Sequence, residues 1–511
     1  MFLKLFKKWM SIAIIIAVLI QNIFFPSFAN FIGTTFASIV WMLTYHIILQ
    51  PLNFRRYTFS TLILLGFALT QFCLPVIFIL TEFKPLIYNL KFPITVFIHA
   101  FLSFLVLLIS FSLYKKWWQC IKNLLRKLLS YTPIYATPVS RQLWIMGGFG
   151  LIAIFINRVF FNAYSELTSK SELSSFIAGF ETYAYLPLLI PLYKIYSKQK
   201  RVYSTVSIFI YGFVLIIFGV MANTRGMFMQ GLLMVGLVYF LGLMTGRFNY
   251  KIFKPKIIVL VAIVGWVITG PLSDLGTAMV VVRGLRSDIS TTRLLDETIK
   301  TYNDKKALAS YKKMAQISVS EWDENYFDNI FLARFCNLKF NDASIEQAYK
   351  LKKWPDIRMR KAVSDKLWAT FPTPVLKFFD VAIDKESVGK GSFGDFLYNI
   401  NSKNGVGGFR TGNFVGVGLA SFGWWYLLVL FIGSILLFNF ADTFVYIDKR
   451  RYYTPSILGL MSIGFFFTYF GVSTASESVT TIFTYILRGW IQLVLLYIIV
   501  YFFSKKINQV L

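Results

Sequence analysis

"TVSIFIYGFVLIIFGVMANTRGMFMQGLLMVGLVYFLGLM", Thr205 to Met244, decides the fold. It is two apolar runs divided by a short polar break at Asn223–Gly226, and Arg225 is its only charged residue. A helix needs about 20 apolar residues to cross the hydrocarbon core of a bilayer, and each run approaches that length. The stretch therefore reads as two consecutive membrane crossings. A permanent cation at the turn between them has to have a reason.

Working outward, the remaining sequence repeats the pattern. Of 511 residues, 56% are hydrophobic, 18% aromatic and only 15% charged, with mean hydropathy +0.61, a composition that excludes a water-soluble domain. The fold class expected is an all-α polytopic integral membrane protein of about twelve transmembrane helices. The apolar windows fall near 10–27, 31–50, 57–80, 92–113, 142–163, 174–194, 203–223, 226–245, 257–274, 415–440, 455–473 and 480–502. Lys4, Lys7 and Lys8 before the first window resemble a signal peptide, with "PSFAN" offering a cleavage site after Ala29. A second window follows at once, so the segment reads as an uncleaved span.

The formal charge of +28 points first to nucleic acid, but its distribution points elsewhere. With the N-terminus inside, 24 of the 52 basic residues fall on inner segments, and outside one large loop only six fall on the outer side. That is the positive-inside pattern, with both termini cytoplasmic and no nucleic-acid partner. The segment Lys115–Leu129 is basic, aromatic and amphipathic, and is expected along the inner membrane surface. Cys73, Cys120 and Cys336 are far apart, and there are two histidines, His46 and His99, both read as core residues. No metal site, disulfide framework or cofactor is expected.

Three regions follow: a membrane domain over 1–274, a helical extracytoplasmic cap loop over 275–414 between spans nine and ten, and a membrane domain over 415–511. Within the loop, "TTRLLDETIKTYNDKKALASYKKMA", "NDASIEQAYKLKKW" and "PDIRMRKAVSDKLWATF" read as amphipathic helices. "GKGSFG" matches a dinucleotide fingerprint at Gly389, Gly391 and Gly394. It has no strand before it and no nucleotide pool at that face, so it carries no such reading.

Ionisable groups at membrane depth are costly and usually face a cavity. Those in this sequence gather in the outer half: Arg158, Glu181, Arg225, Asp274, Glu477 and Arg488, with Arg283, Arg286 and Arg410 near the ends of the loop. The inner halves show no comparable set. Guanidinium binds phosphate through a planar fork, so the arginines suit a lipid-linked phosphate or diphosphate.

"ANTRGMFMQGLLMVG", with Arg225 and Gly236, resembles the outer-face arginine motif of bacterial O-antigen polymerases and the related O-antigen ligases. The layout is similar as well: about twelve spans, termini inside, one large late outer loop, and the glycine-rich re-entry "GNFVGVGLASFGWWYLLVLF". The resemblance implies a GT-C-like membrane enzyme of the bacterial cytoplasmic membrane, acting without cofactor or metal. It would join undecaprenyl-diphosphate oligosaccharide repeat units into a surface polysaccharide. A flippase and a chain-length regulator are implied partners, besides membrane lipids. Arg158, Arg225, Arg283, Arg286, Arg410 and Arg488 would bind the diphosphate. Arg225, Glu181 and Asp274 would be catalytic, and Glu477 is a weaker candidate. Ligases of this superfamily use an outer-loop histidine, and this loop has none, which favours polymerase over ligase. A lipid-linked oligosaccharide flippase or transporter is the competing reading. It would call for a polar path across the membrane and two similar halves, neither of which the sequence shows.

Overall fold

A computed structural model describes residues 2–157, 176–199, 202–222, 225–249, 266–267, 270–285, 291–317, 322–389, 391–402, 410–448, 452–471 and 476–510. The described residues are overwhelmingly helical, and their only sheet is a ribbon of two three-residue strands, Val445–Ile447 antiparallel to Tyr453–Pro455. Among the described residues, six helical segments are long and apolar enough to cross a membrane: Phe28–Ile48, Thr58–Glu82, Pro93–Lys116, Phe176–Ile195, Phe414–Phe444 and Thr481–Val510. Shorter apolar helices run over Ser140–Phe155, Thr205–Met221 and Met229–Met244.

In hydrocarbon, a backbone carbonyl or amide without a partner costs several kcal/mol, so each interruption of a helix has to be repaired by the protein. Two prolines show how. The segment Glu181–Ile195 is not an α-helix, as its sequence window suggested, but a 15-residue 3₁₀ helix containing Pro187 and Pro191, with a break in dihedral angles at Leu192. At about 2.0 Å per residue it covers ~30 Å, the thickness of the hydrocarbon core, where an α-helix of that length would fall short. Pro187 has no N–H to offer the carbonyl three residues back, that of Ala184. The hydroxyl of Tyr211, on Thr205–Met221, donates to that carbonyl at 2.7 Å. The helix Ser140–Phe155 can approach this segment only because of its glycines. A Cβ on Gly150 would lie 2.0 Å from the Ala184 amide nitrogen.

The second repair is inside Thr58–Glu82. A π-helical turn at Leu69–Cys73 sends the Leu74 N–H back to the Leu69 carbonyl, and Pro75, next in that register, has no N–H. The Thr70 carbonyl is thereby freed, and it accepts the backbone N–H of Asn337 at 3.1 Å. Thr70 is near the middle of its 25-residue helix, so the start of Leu338–Tyr349 is seated deep in the protein. That helix was expected to be amphipathic. It is instead buried on every side from Leu338 to Ala348, polar residues included. Its Asn341 amide donates to Gln71 Oε1 at 2.8 Å, so its polar residues face other polar residues rather than water.

Helix starts are repaired in the same way. Neither Tyr57 nor Phe92 can cap the helix that follows it. The carboxylate of Asp442 accepts the N–H groups of Phe59 and Ser60 at 3.0 and 3.2 Å, the Ser60 hydroxyl at 2.5 Å and the Tyr114 hydroxyl at 3.0 Å. At the opposite end of the bundle, Asp342 accepts the N–H groups of Lys91 and Phe92 at 3.0 and 2.8 Å and pairs with Lys339 at 3.0 Å. Asp442 is wholly buried and corrects the expectation that charge at depth is confined to one end. It is accompanied by Lys122, also fully buried, whose ammonium is pushed down to about 7 by desolvation. A further break separates the sequence window 455–473 into two short helices, Ile457–Met461 and Ile463–Phe467. A Cβ on Gly66 would lie 1.8 Å from the Phe467 carbonyl, so these short helices pack directly on the backbone of Thr58–Ala68.

Two variants check these repairs. Tyr211→Phe strands the Ala184 carbonyl and is expected to lower stability by about 1–3 kcal/mol in reversible unfolding, whereas Tyr203→Phe, on the exposed side of the same region, leaves it unchanged. Asp442→Ala removes four hydrogen bonds to a charged acceptor and is expected to cost roughly 3 kcal/mol or more.

Candidate functional site

Five charged side chains among the described residues, Glu324, Lys366, Asp395, Arg410 and Glu477, meet in one cluster. It is organised by the start of the helix Phe393–Ser402. Ser392 and Asp395 form a reciprocal capping box: the Asp395 N–H donates to Ser392 Oγ at 2.9 Å and the Ser392 N–H to Asp395 Oδ2 at 3.2 Å. The next free donor, the Phe393 N–H, goes to Glu477 Oε2 at 2.9 Å. Glu477 comes from the buried run Ser476–Ser478, just before the last candidate span. Asp395 also receives the Arg410 backbone N–H and its guanidinium Nη1, both at 3.2 Å. That guanidinium lies 4.0 Å over the ring of Tyr398 and is 26% exposed, so it is the part of the cluster that meets the outside.

Lys366, from Ile357–Trp368, completes the set. Its ammonium donates to the Gly391 carbonyl at 2.6 Å and sits over the Phe393 ring. Burial holds its pKa below the usual lysine value, against the pull of Glu477 and Asp395. Glu324 approaches from the other side, accepting Trp322 Nε1 and the Thr411 N–H, both at 2.9 Å. Burial raises its pKa; the Trp322 and Thr411 hydrogen bonds and the charge of Arg334 oppose the shift. Glu477 is the most perturbed carboxyl here. Desolvation pushes it up to about 7, only partly offset by the Phe393 N–H and Lys366. A carboxyl that titrates near neutrality can both take and give a proton at physiological pH.

The residues singled out from the sequence fare unequally. Arg158 and Arg286 lie outside the described residues, as do the side chains of Arg225 and Arg283. Arg225 begins the helix Arg225–Met244. Arg410 is in the cluster. Arg488 is exposed, on a π-helical turn at Tyr485–Trp490, and nothing described brings it beside Arg410. Glu181 accepts Asn157 Nδ2 at 2.5 Å, and Asp274 pairs with Lys305 at 2.9 Å. Neither carboxylate touches the cluster through any described contact. Of the two histidines read as core residues, His99 is one: it is buried, with Nδ1 2.9 Å from the Tyr426 hydroxyl and its ring stacked on Trp424. His46 is not, being exposed on the π-helical turn Thr44–Ile48.

Sequence reasoning missed Glu324, Lys366 and Asp395. The first two gave no signal, since they lie in loop segments of ordinary polar composition. Asp395 had one: "SFGD" is a Ser-x-x-Asp capping box, overlaid by the glycine pattern that drew attention instead. Among the described residues no group of three histidine, cysteine or carboxylate side chains is placed to hold a metal ion.

Comparison of the chain with protein-family models, with curated proteins and with solved structures gives no match in any of the three.

The cluster makes a pH prediction. The folded-state pKa of Glu477 is raised above its unfolded value, so its contribution to stability is full below about 4.5 and is lost as pH rises through about 7. Glu324 is shifted in the same direction. Wild-type stability, followed by thermal unfolding in detergent, is expected to decline across that window. Glu477→Gln is expected to flatten the decline without abolishing it. An unchanged slope in the variant would show that Glu477 titrates normally.

Proposed function

We propose that the protein is a membrane glycosyltransferase that joins undecaprenyl-diphosphate-linked oligosaccharide units into a polysaccharide. It would act at the outer face of a bacterial cytoplasmic membrane, in a chain crossing that membrane about twelve times with both termini inside. The observation that carries the reading is the pairing of a partly exposed guanidinium, Arg410, with a buried carboxyl that titrates near neutrality, Glu477, across one helix start. The layout of apolar segments and the Arg225 motif support it.

In the reaction proposed, the hydroxyl oxygen of an acceptor sugar attacks the anomeric carbon of the donor. The bond from that carbon to the diphosphate oxygen breaks, and the diphosphate leaves with the bonding pair. Arginine stabilises the charge that builds on it. Ionised Glu477 takes the proton of the attacking hydroxyl. This moves the base from Glu181 and Asp274, which hold Asn157 and Lys305, to Glu477, which shares a helix start with the Arg410 partner Asp395. Arg410 binds diphosphate by exchanging part of its hold on Asp395, and Tyr398 keeps the guanidinium plane oriented.

Purified protein in proteoliposomes, supplied with a lipid-diphosphate-linked repeat unit and no nucleotide sugar, is expected to lengthen it. Arg225→Ala and Arg410→Ala are expected to slow lengthening by about 10²-fold or more while the protein remains folded. Glu477→Gln is expected to reduce the rate by about 10²–10⁴-fold and to remove an inflection near pH 7 from the rate profile. Movement of the lipid-linked unit across the bilayer without lengthening would assign transport instead. Wild-type chain lengths in Arg225→Ala would remove that arginine from the site.

A further inference from the structure

The helix Cys120–Leu129 is turned inside out relative to a helix facing water. Its fully buried side chains are Lys122 and Leu129. Lys122 points into the protein, where its ammonium donates to Gln119 Oε1 at 2.8 Å and lies 4.9 and 5.1 Å from the ring centres of Tyr57 and Tyr114. The outward face carries two leucines beside Asn123 and Lys127: Leu124 is 61% and Leu128 56% exposed. The turn leading into the helix exposes Trp117 and Trp118, at 63% and 50%. A helix that hides a lysine and presents leucine and tryptophan is stable only where the outside is itself apolar at that height.

Two further observations say what covers it. The helix follows directly on the candidate span Pro93–Lys116, so its outer face is at the level where that span ends. The exposed charges around it are of one sign. Lys116 and Lys127 are exposed, as is Arg55 nearby, and the sequence from Lys84 to Ser165 contains no acidic residue at all. Among the described residues, the carboxylate that faces the helix is that of Asp442, which is fully buried and committed to the start of Thr58–Ala68. Apolar anchors flanked by unbalanced cations fit a leaflet rich in anionic phospholipid.

We propose that Trp117–Leu128 is a binding surface for anionic phospholipid, with Trp117, Trp118, Leu124 and Leu128 seated among the acyl chains and Lys116 and Lys127 on the headgroup phosphates. This surface is independent of the glycosyl-transfer site and stands whether or not that reading does.

The full-length protein is reconstituted in vesicles of phosphatidylcholine with a fixed fraction of phosphatidylglycerol, and either lipid is supplied with brominated acyl chains. Quenching of Trp117 and Trp118 is taken as the difference between wild type and the Trp117→Phe/Trp118→Phe protein. Brominated phosphatidylglycerol is expected to quench this difference signal at least twofold more than brominated phosphatidylcholine at equal mole fraction. Lys116→Gln/Lys127→Gln is expected to bring that ratio to one without loss of quenching. Both substitutions are on exposed side chains, so the fold is preserved. Equal quenching by the two lipids in wild type would overturn the headgroup assignment. Absence of quenching by either would show that the face is covered by protein, and would overturn the proposal outright. Cys120 gives a second reading, because Cys73 and Cys336 are buried and it alone is exposed. A spin label there is expected to be more accessible to oxygen than to a polar nickel chelate, and the reverse order would place the helix in water.

Discussion

The constraint on which the architecture depends is that backbone polar groups inside an apolar slab need partners from the protein itself. Regular helices meet it alone; interrupted ones do not. This chain interrupts its helices repeatedly, and four of the carbonyl or helix-start sites so exposed are matched by a partner from another element. Pro187 strands a carbonyl that Tyr211 satisfies, and Pro75 strands one that Asn337 satisfies. The helix starts at Thr58 and Pro93 are served by Asp442 and Asp342. Apart from the Tyr211 contact, these bonds join residues of the first hundred positions to residues hundreds of positions later. They supply direction and register that apolar packing, being non-directional, cannot.

The same constraint explains why Leu338–Tyr349 is buried though its sequence is polar. The side chains of Asn341 and Asp342 meet groups on the membrane helices, the Gln71 side-chain carbonyl and the N–H groups before Pro93, while the Thr70 carbonyl is met by the Asn337 backbone N–H. A helix with an apolar face would pack more readily but would leave those groups stranded. Polar composition here is a sign of complementarity to a polar interior, not of exposure to water.

That is also where the sequence stops being legible. The apolar windows, the helical character and the amphipathic helix after Lys116 follow from hydropathy and period, because lipid contact selects residue type locally. Span six was visible as a window, but its 3₁₀ form depends on two prolines and on Tyr211, a residue outside the window. The window 455–473 was visible as apolar; its division at Ser462 depends on packing against Gly66. For the candidate site, Arg410 and Glu477 were legible as charges beside apolar runs. Their partners were not, since Asp395, Lys366 and Glu324 come from loop segments whose convergence is a property of the fold. Asp442 lies just past the apolar window 415–440 and before a basic turn, and nothing in that local pattern marks it as buried.

The convergence of capping and chemistry at Phe393–Ser402 is not accidental in physical terms. A helix start favours a negative charge, while burial favours the neutral acid. Glu477 is subject to both, and the balance holds it near 7 rather than at either extreme. Its bond to the Phe393 N–H uses one oxygen, Oε2, as an acceptor, and a carboxyl protonated on Oε1 can still accept there. The residue can therefore gain and lose a proton while keeping its structural bond. Asp395 receives a guanidinium and two further N–H groups on its carboxylate, and these bonds hold Arg410 against the helix start.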